Sequence, residues 1–217
     1  MEQYKEIDLK TWHRAEIFKL YTEQWKGVAF SVTKKLDVTP LIEYLKRNQL
    51  KTVPALLYAT TECINLQSSF KIAYLDNRLV EWEELNPVYP ILNKNKDITF
   101  HTINREKSFS GFYKSYLLDM QENREKTSAI ATQFPKNHFI VSIPHFMYFD
   151  ATAMISRQSH YYFTPFVILG KYEEREGRLE IPVAFCGNHA VTDAWHINIF
   201  FEALQKMFLE PELWCKN

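Results

Sequence analysis

The stretch Gly187-Asn188-His189-Ala190-Val191-Thr192-Asp193-Ala194-Trp195-His196 decides how the chain is read, because it places a histidine between a strand pattern and a helix pattern. Upstream, from Arg178 to Cys186, Leu179, Ile181, Val183 and Phe185 fall on one face and Glu180, Pro182, Ala184 and Cys186 on the other, which is the period of a β-strand. Downstream, Trp195, Ile199, Phe200, Ala203, Leu204, Met207 and Phe208 recur at helical spacing, and Asp193 stands where a side-chain oxygen can cap the first free N–H groups. His189 therefore belongs to a short strand-to-helix connection, where scaffolds commonly hold reactive groups. With a reference pKa of roughly 6.5, its imidazole can take a proton near neutral pH.

Three readings fit these residues taken alone. His189 can be structural or merely solvated. It can form a His-Asp dyad with Asp193, although a cap or an ion pair explains the aspartate equally well. Cys186, His189, Asp193 and His196 can be grouped as a metal site, the weakest reading, since they straddle strand end, loop and helix start and no second ligand cluster appears.

Working outward, the 217 residues suffice for one substantial domain, 1–217, with its own core, and no linker-like run divides them. The 26 basic residues balance the 26 acidic ones, which leaves no basic footprint for nucleic acid. Cys63, Cys186 and Cys215 are an odd, scattered set that does not describe a disulfide framework. The N-terminus lacks a basic stretch followed by an apolar one, and no run approaches about 18 apolar residues. These features predict a soluble cytoplasmic protein with neither a membrane nor a nucleic-acid partner.

The remaining elements follow from local signals. Thr11 is expected to cap a first helix carrying Trp12, Ala15, Phe18 and Tyr21, which ends before Gly27. Val28 to Leu36 reads as a strand, followed by a helix with Thr39 as cap and Pro40 in its first turn. Pro54 opens an apolar helix through Leu66. Tyr74 to Trp82 reads as a hairpin around Asp76-Asn77, Pro87 and Pro90 interrupt, and Ile98 to Thr102 is a short strand. Residues 105 to 130 show helical spacing, and Phe139 to Ser142 is a strand that ends before Pro144. The bulky segment from Phe146 to Thr152 reads chiefly as core. Phe163 to Tyr172 is a strand whose Pro165 favours an edge or irregular place.

The His189 segment resembles the active-site signature of chloramphenicol acetyltransferases, a His-His-x-x-x-Asp-Gly stretch that begins a helix, with His189 at the second, catalytic histidine. Further anchors run in order along nearly the whole chain: Asp8, Trp12, Arg14, Glu16 and Phe18, then Phe30-Ser31-Val32-Thr33, Leu79-Val80-Glu81-Trp82, Phe163-Thr164-Pro165 and Lys171-Tyr172. The resemblance implies an α/β two-layer sandwich, a mixed β-sheet flanked by helices, which is the CoA-dependent acyltransferase fold. It implies acetyl transfer from acetyl-CoA, as co-substrate, to a hydroxyl of chloramphenicol, without a metal or a covalent intermediate. His189 is then the general base, and an Arg14–Asp193 ion pair holds its loop.

By the same resemblance Lys51 lies near the coenzyme's phosphates, and Lys171 and Tyr172 lie beside the coenzyme. Tyr21, Phe30 and Phe100 are candidates for the acceptor pocket, with packing as their competing role. The sites form between subunits of a homotrimer. Aligning the Phe149-Asp150 pair puts Ala151 at the family's oxyanion serine, which leaves the adjacent Thr152 as the candidate donor. Asn188 replaces the first histidine, Ala194 the glycine, and Ile168 a water-binding threonine. These departures leave open a different hydroxyl acceptor, or a homologue that binds ligand with little or no turnover.

Overall fold

A computed structural model of the chain describes residues 3–154 and 161–216. In chain order, β1 (Tyr4–Glu6) precedes α1 (Ala15–Lys19), which runs into a π-helical turn at Leu20–Gln24. Next come β2 (Ala29–Asp37), α2 (Thr39–Arg47), α3 (Thr52–Asn65), β3 (Ile72–Leu75), β4 (Arg78–Trp82), β5 (Asn86–Leu92), β6 (Ile98–Thr102) and α4 (Phe109–Asn123). The final group is β7 (His138–Ser142), β8 (Phe166–Leu169), β9 (Glu173–Arg175), β10 (Arg178–Asn188) and α5 (Ala194–Leu209).

These strands make a mixed seven-stranded sheet in the order β2-β10-β8-β7-β5-β6, with β9 on β10, and a smaller sheet β1-β4-β3. Within the large sheet β5 and β8 run parallel to β7, and the other pairs are antiparallel. The alternation read from the sequence of β10 is real, and it is buried on both faces. Ile181, Val183 and Phe185 enter a core with Leu41 of α2, Leu57 of α3 and Phe200 and Leu204 of α5. Each such fully buried side chain contributes roughly 1.5–3 kcal/mol. On the opposite face Pro182, Ala184 and Cys186 lie in register with Lys35, Thr33 and Ser31 of β2. The segment after β7 crosses there: a Cβ at Gly170 would come within 2.8 Å of both Phe149 and Pro182 and 3.0 Å of the Met147 carbonyl. Only a glycine lets that segment pass so close.

Several local expectations are corrected. Thr11 caps nothing, because the Asp8 carbonyl already accepts the N–H groups of Thr11 and Trp12 and closes a separate turn, so the helix starts later, at Ala15. Thr39 lies inside the first turn of α2; its hydroxyl accepts from Leu179 N–H, and Asp37 Oδ1 accepts the Thr39 N–H. Pro87 and Pro90 do not interrupt; they sit within β5, where each missing N–H falls beyond the end of a ladder. The β6 ladder reaches only Val88↔Thr102, and the β7 ladder stops at Val88↔Ile140. Pro165 immediately precedes an interior strand, and its carbonyl accepts from Ile140 N–H at 3.0 Å. Phe146 and Met147 are exposed, not core. Trp195 is 71% exposed, because the buried stripe of α5 is Ile197, Phe200, Phe201, Leu204 and Phe208.

Candidate active site

The β10–α5 connection is held from three directions. His189 N–H donates to the Val28 carbonyl at 2.9 Å, which docks the loop on the strand leading into β2. Asn188 turns the chain: its Oδ1 accepts from Ala190 N–H at 2.9 Å and its Nδ2 donates to the Tyr162 carbonyl at 3.2 Å. Arg14, just ahead of α1, supplies the third hold. Its Nη2 donates to the His189 carbonyl at 3.1 Å, Nε to the Ala190 carbonyl at 3.2 Å and Nη1 to Asp193 Oδ2 at 2.9 Å. One planar guanidinium thus fixes both ends of the loop, which an ammonium could not do in the same geometry.

Asp193 also caps α5. Its Oδ1 accepts from Trp195 N–H, and His196 Nδ1 accepts the Asp193 N–H. Burial opposes ionisation of Asp193, but the hydrogen bond from Arg14, the adjacent His196 and the Arg14 charge outweigh it and hold the carboxyl below the usual range. The aspartate oxygens therefore serve Arg14, the cap and His196, so the reading that survives is the ion pair with capping. Cys186, drawn into the metal reading, is instead 3.1 Å from the Ser31 hydroxyl, and no group of three or more His, Cys, Asp or Glu among the described residues is arranged to hold a metal.

The His189 ring lies between two aromatic rings in nearly parallel stacks, Phe30 at 4.0 Å and 14° and Tyr21 at 5.0 Å and 13°. Burial lowers its pKa; the Asp193 charge raises it, the Arg14 charge lowers it, and a main-chain hydrogen bond with Thr192 raises it. The net shift is downward, so the imidazole is neutral at neutral pH and can accept a proton.

A second feature stands at the other end of the sheet. A cavity of about 520 Å³ opens between α4, the end of β5 and the segment Ser142–Phe146, with Lys51 at its rim. Its walls are chiefly apolar, and Ser142 carries the one aliphatic hydroxyl among its lining residues. Behind the wall is a buried polar cluster. Asp119 accepts from the Tyr89 hydroxyl at 2.7 Å and from Asn123 Nδ2 at 2.8 Å, and its Oδ2 lies 2.9 Å from His101 Nδ1. Burial opposes the Asp119 charge, yet these three hydrogen bonds hold its pKa below the ordinary value, while burial and the same carboxylate push the Tyr89 phenol up.

Some of the residues singled out from the sequence gather at these two places, and others lie at neither. Tyr21, Phe30, Arg14 and Asp193 gather around His189. Lys51 lines the cavity; Lys171 does not, its N–H donating to the Met147 carbonyl and its Nζ lying 3.9 Å from Glu173. Tyr172 is half-buried against the core. Phe100 lies on β6, the edge opposite β2, edge-on to Phe134 at 5.9 Å. Thr152 is held over β2, its carbonyl accepting from Ser31 Oγ at 2.9 Å and its N–H reaching Thr33 Oγ1 at 3.4 Å. Neither Ala151 nor Thr152 lines the cavity. Ser142, which closes β7 just ahead of Pro144, was not singled out from the sequence.

Register separates the two places within one chain. Ser142 pairs with Ile168, and Ile168 with Ala184. Ala184 precedes His189 along β10, so His189 lies about 16 Å along the sheet and about 10 Å across it from Ser142, using ~3.3 Å per residue and ~4.8 Å per strand.

A mixed sheet with helices over one face and a histidine loop after its longest strand defines the CoA-dependent acyltransferase fold. A solved chloramphenicol acetyltransferase superimposes with a TM-score of 0.86 at 20% identity, covering 95% of this chain and 100% of that one. A dihydrolipoamide acetyltransferase of Azotobacter vinelandii follows with a TM-score of 0.68 at 15% identity, over 96% and 93%. The chain belongs to the chloramphenicol acetyltransferase family, whose sequence profile matches residues 2–205. It is 28% identical over 216 residues to chloramphenicol acetyltransferase 2 of Haemophilus influenzae, covering 94% of this chain and 96% of that protein. It is 27% identical over 211 residues to a chloramphenicol acetyltransferase of Staphylococcus aureus, covering 96% and 97%. The protein is accordingly an acyltransferase.

Proposed function

We propose that the protein, as a single-domain subunit of a cytoplasmic homotrimer, transfers acetyl from acetyl-CoA to a hydroxyl of chloramphenicol. The observation that carries this reading is the neutral His189 ring, stacked between Phe30 and Tyr21 on a loop clamped by Arg14. His189 removes the hydroxyl proton as the oxygen attacks the thioester carbon, a contribution of about 100- to 10,000-fold. The tetrahedral intermediate then collapses, the C–S bond breaks, and the imidazolium returns the proton to the departing thiolate. No bond to the protein forms.

The oxyanion needs a donor, and Ser142 takes this role in place of Thr152, because it lines the cavity that Lys51 also lines and Thr152 does not. The separation of Ser142 from His189 supports a site completed by a second copy, which brings the His189 loop of one subunit to the cavity face of another. Phe100 then joins Tyr21 and Phe30 only across such an interface. Lys51, Lys171 and Tyr172 serve the coenzyme end.

A second acceptor is favoured by one observation. Ile168 is in register with Ser142 on the same sheet face and offers no hydroxyl, so the sheet surface beside Ser142 is more apolar than a threonine would make it. Thiol release with acetyl-CoA tests both readings: turnover of chloramphenicol well above a His189→Ala control supports the first. His189-dependent turnover of another hydroxyl compound, with chloramphenicol inert, supports the second. No His189-dependent turnover of any hydroxyl compound overturns both and leaves a binding protein of this fold.

A further inference from the structure

His189 sits between two peptide groups, and all four of their polar atoms have partners. The Asn188 carbonyl accepts from Val191 N–H at 3.2 Å and Thr192 N–H at 2.9 Å, and His189 N–H donates to the Val28 carbonyl. The His189 carbonyl accepts from Arg14 Nη2, and Ala190 N–H donates to Asn188 Oδ1 at 2.9 Å. Two of these holds come from Asn188. Any residue would supply the carbonyl, but the side-chain bond to the N–H two positions on is an Asx turn, and the residue it encloses is His189. The family's signature has a histidine at this place, so the amide belongs to this chain.

The same turn carries the partner of the ring. Thr192 closes on the Asn188 carbonyl, folds back until its Cγ2 is 3.3 Å from a Cβ placed on Gly187, and makes the main-chain hydrogen bond with the imidazole. The turn is dry: Asn188 and Thr192 are buried, and Ala190 and Val191 pack in a small core with Phe18 and Phe163. Asn188 Nδ2 ties the turn to the Tyr162 carbonyl, next to Phe163 of that core. Backbone on both sides of His189 is thus defined, and a ring on a defined backbone has few staggered directions open to it.

We infer that Asn188 is a positioning residue: the bond from Ala190 N–H to its Oδ1 aims the His189 ring into the slot between Phe30 and Tyr21. Its catalytic meaning rests on His189 being the base of the proposed transfer. Loss of that bond leaves the Ala190 N–H unpaired in a dry place, so the turn relaxes and the ring moves toward water. The competing role is to satisfy buried groups and nothing more; removing the amide would then lower the melting temperature and leave rate and ring titration unchanged. The charges that act on the ring, Asp193 at the α5 cap and Arg14, and the Tyr21 and Phe30 rings on its two faces, are untouched by a change at Asn188.

The experiment compares wild type, Asn188→Ala and Asn188→Ser below the melting temperature of each. Turnover is measured with acetyl-CoA and chloramphenicol, and the His189 ring is titrated by NMR, its signal assigned by loss in His189→Ala. Serine keeps an acceptor for Ala190 N–H and gives up the reach to Tyr162. Asn188→Ala should lower kcat by about 10- to 100-fold, as displacement of a catalytic group does, and leave KM for acetyl-CoA within about twofold. Its ring midpoint should rise toward 6.5 as burial is relieved, and Asn188→Ser should recover most of both changes. Asn188→Ala with kcat within about twofold of wild type and the same ring midpoint overturns the inference, as does Asn188→Ser impaired as far as Asn188→Ala. Should Asn188→Ala fail to fold, Asn188→Ser decides: a wild-type ring midpoint supports the inference, and a midpoint at 6.5 overturns it. Wild type without His189-dependent turnover removes the proposed transfer, and the ring titrations still decide whether Asn188 aims the ring.

Discussion

His189 and Ser142 stand toward opposite ends of one sheet, and the protein holds them by different means. The His189 end is a loop whose charged clamp is the Arg14 guanidinium on Asp193, with Asp193 37% exposed and Arg14 13% exposed. The Ser142 end is strand and helix, backed by the buried Asp119, His101, Tyr89 and Asn123. A loop clamped by partly solvated charges can be altered with modest loss of stability, because water screens what a substitution exposes. A buried polar cluster cannot, because each abandoned donor stays dry. Damage to the clamp at the first end should therefore appear chiefly in rate, and damage to the buried cluster behind the second in folding.

The largest expected effect tests the separation itself. His189→Ala should lower kcat by at least about 100- to 10,000-fold while its melting temperature stays near wild type. Ser142→Ala should behave similarly in kind. Co-assembling the two inactive chains should restore activity, since some interfaces then pair an intact His189 with an intact Ser142. Absence of recovery in verified mixed oligomers would mean that each site is built within one chain.

Next comes the hydroxyl. Ser142→Ala should reduce kcat by about 100- to 1,000-fold, the usual result of removing one oxyanion donor, and Ala151→Ser should leave the rate unchanged. A large gain in Ala151→Ser, with Ser142→Ala silent, would return the donor role to the 151–152 segment.

Stability distinguishes the two ends more finely. Asp119→Ala strands buried partners from β5, β6 and α4 and should cost about 3 kcal/mol in denaturant unfolding. Arg14→Ala leaves Asp193 partly solvated and still capping α5, so about 1 kcal/mol is expected, together with a larger fall in kcat as the His189 loop loosens. Equal stability losses would erase the contrast.

The smallest effect is in pH. Burial, the leading cause, holds the His189 pKa below its ordinary value of 6.5, so the acid limb of kcat/KM should have its midpoint below 6.5. The unfolded chain takes up this proton more readily than the folded one, and His189 therefore contributes a loss of stability as pH falls from 6.5 through its folded pKa. Above 6.5 both states are largely neutral and the contribution vanishes. A midpoint above 6.5 would show that the Asp193 charge outweighs burial.

Local signals were readable wherever one interaction decided the outcome. The strand before His189, the Asp193 cap and the Asp76-Asn77 turn each follow from residues within a few positions, and both turn residues adopt positive φ. Signals failed where a distant partner intervened. Thr39 looked like a cap until Leu179 claimed its hydroxyl. Pro87 and Pro90 looked like breaks because the ladder ends that tolerate them belong to β6 and β7. Phe146 and Met147 looked like core because composition records hydrophobicity and not coverage.

By itself the sequence determined the periodicities, the loop that bears His189 and, through its motif residues, the family. It could do so because alternation, capping and motif spacing are properties of neighbouring positions. Tertiary structure alone decided that Arg14 also binds the His189 and Ala190 carbonyls, that Ser142 lines a cavity while Thr152 lies over β2, and that the two chemical groups stand apart on one sheet. Those relations depend on strand order and register, which are set by the joint burial of residues far apart in the chain and leave no local trace.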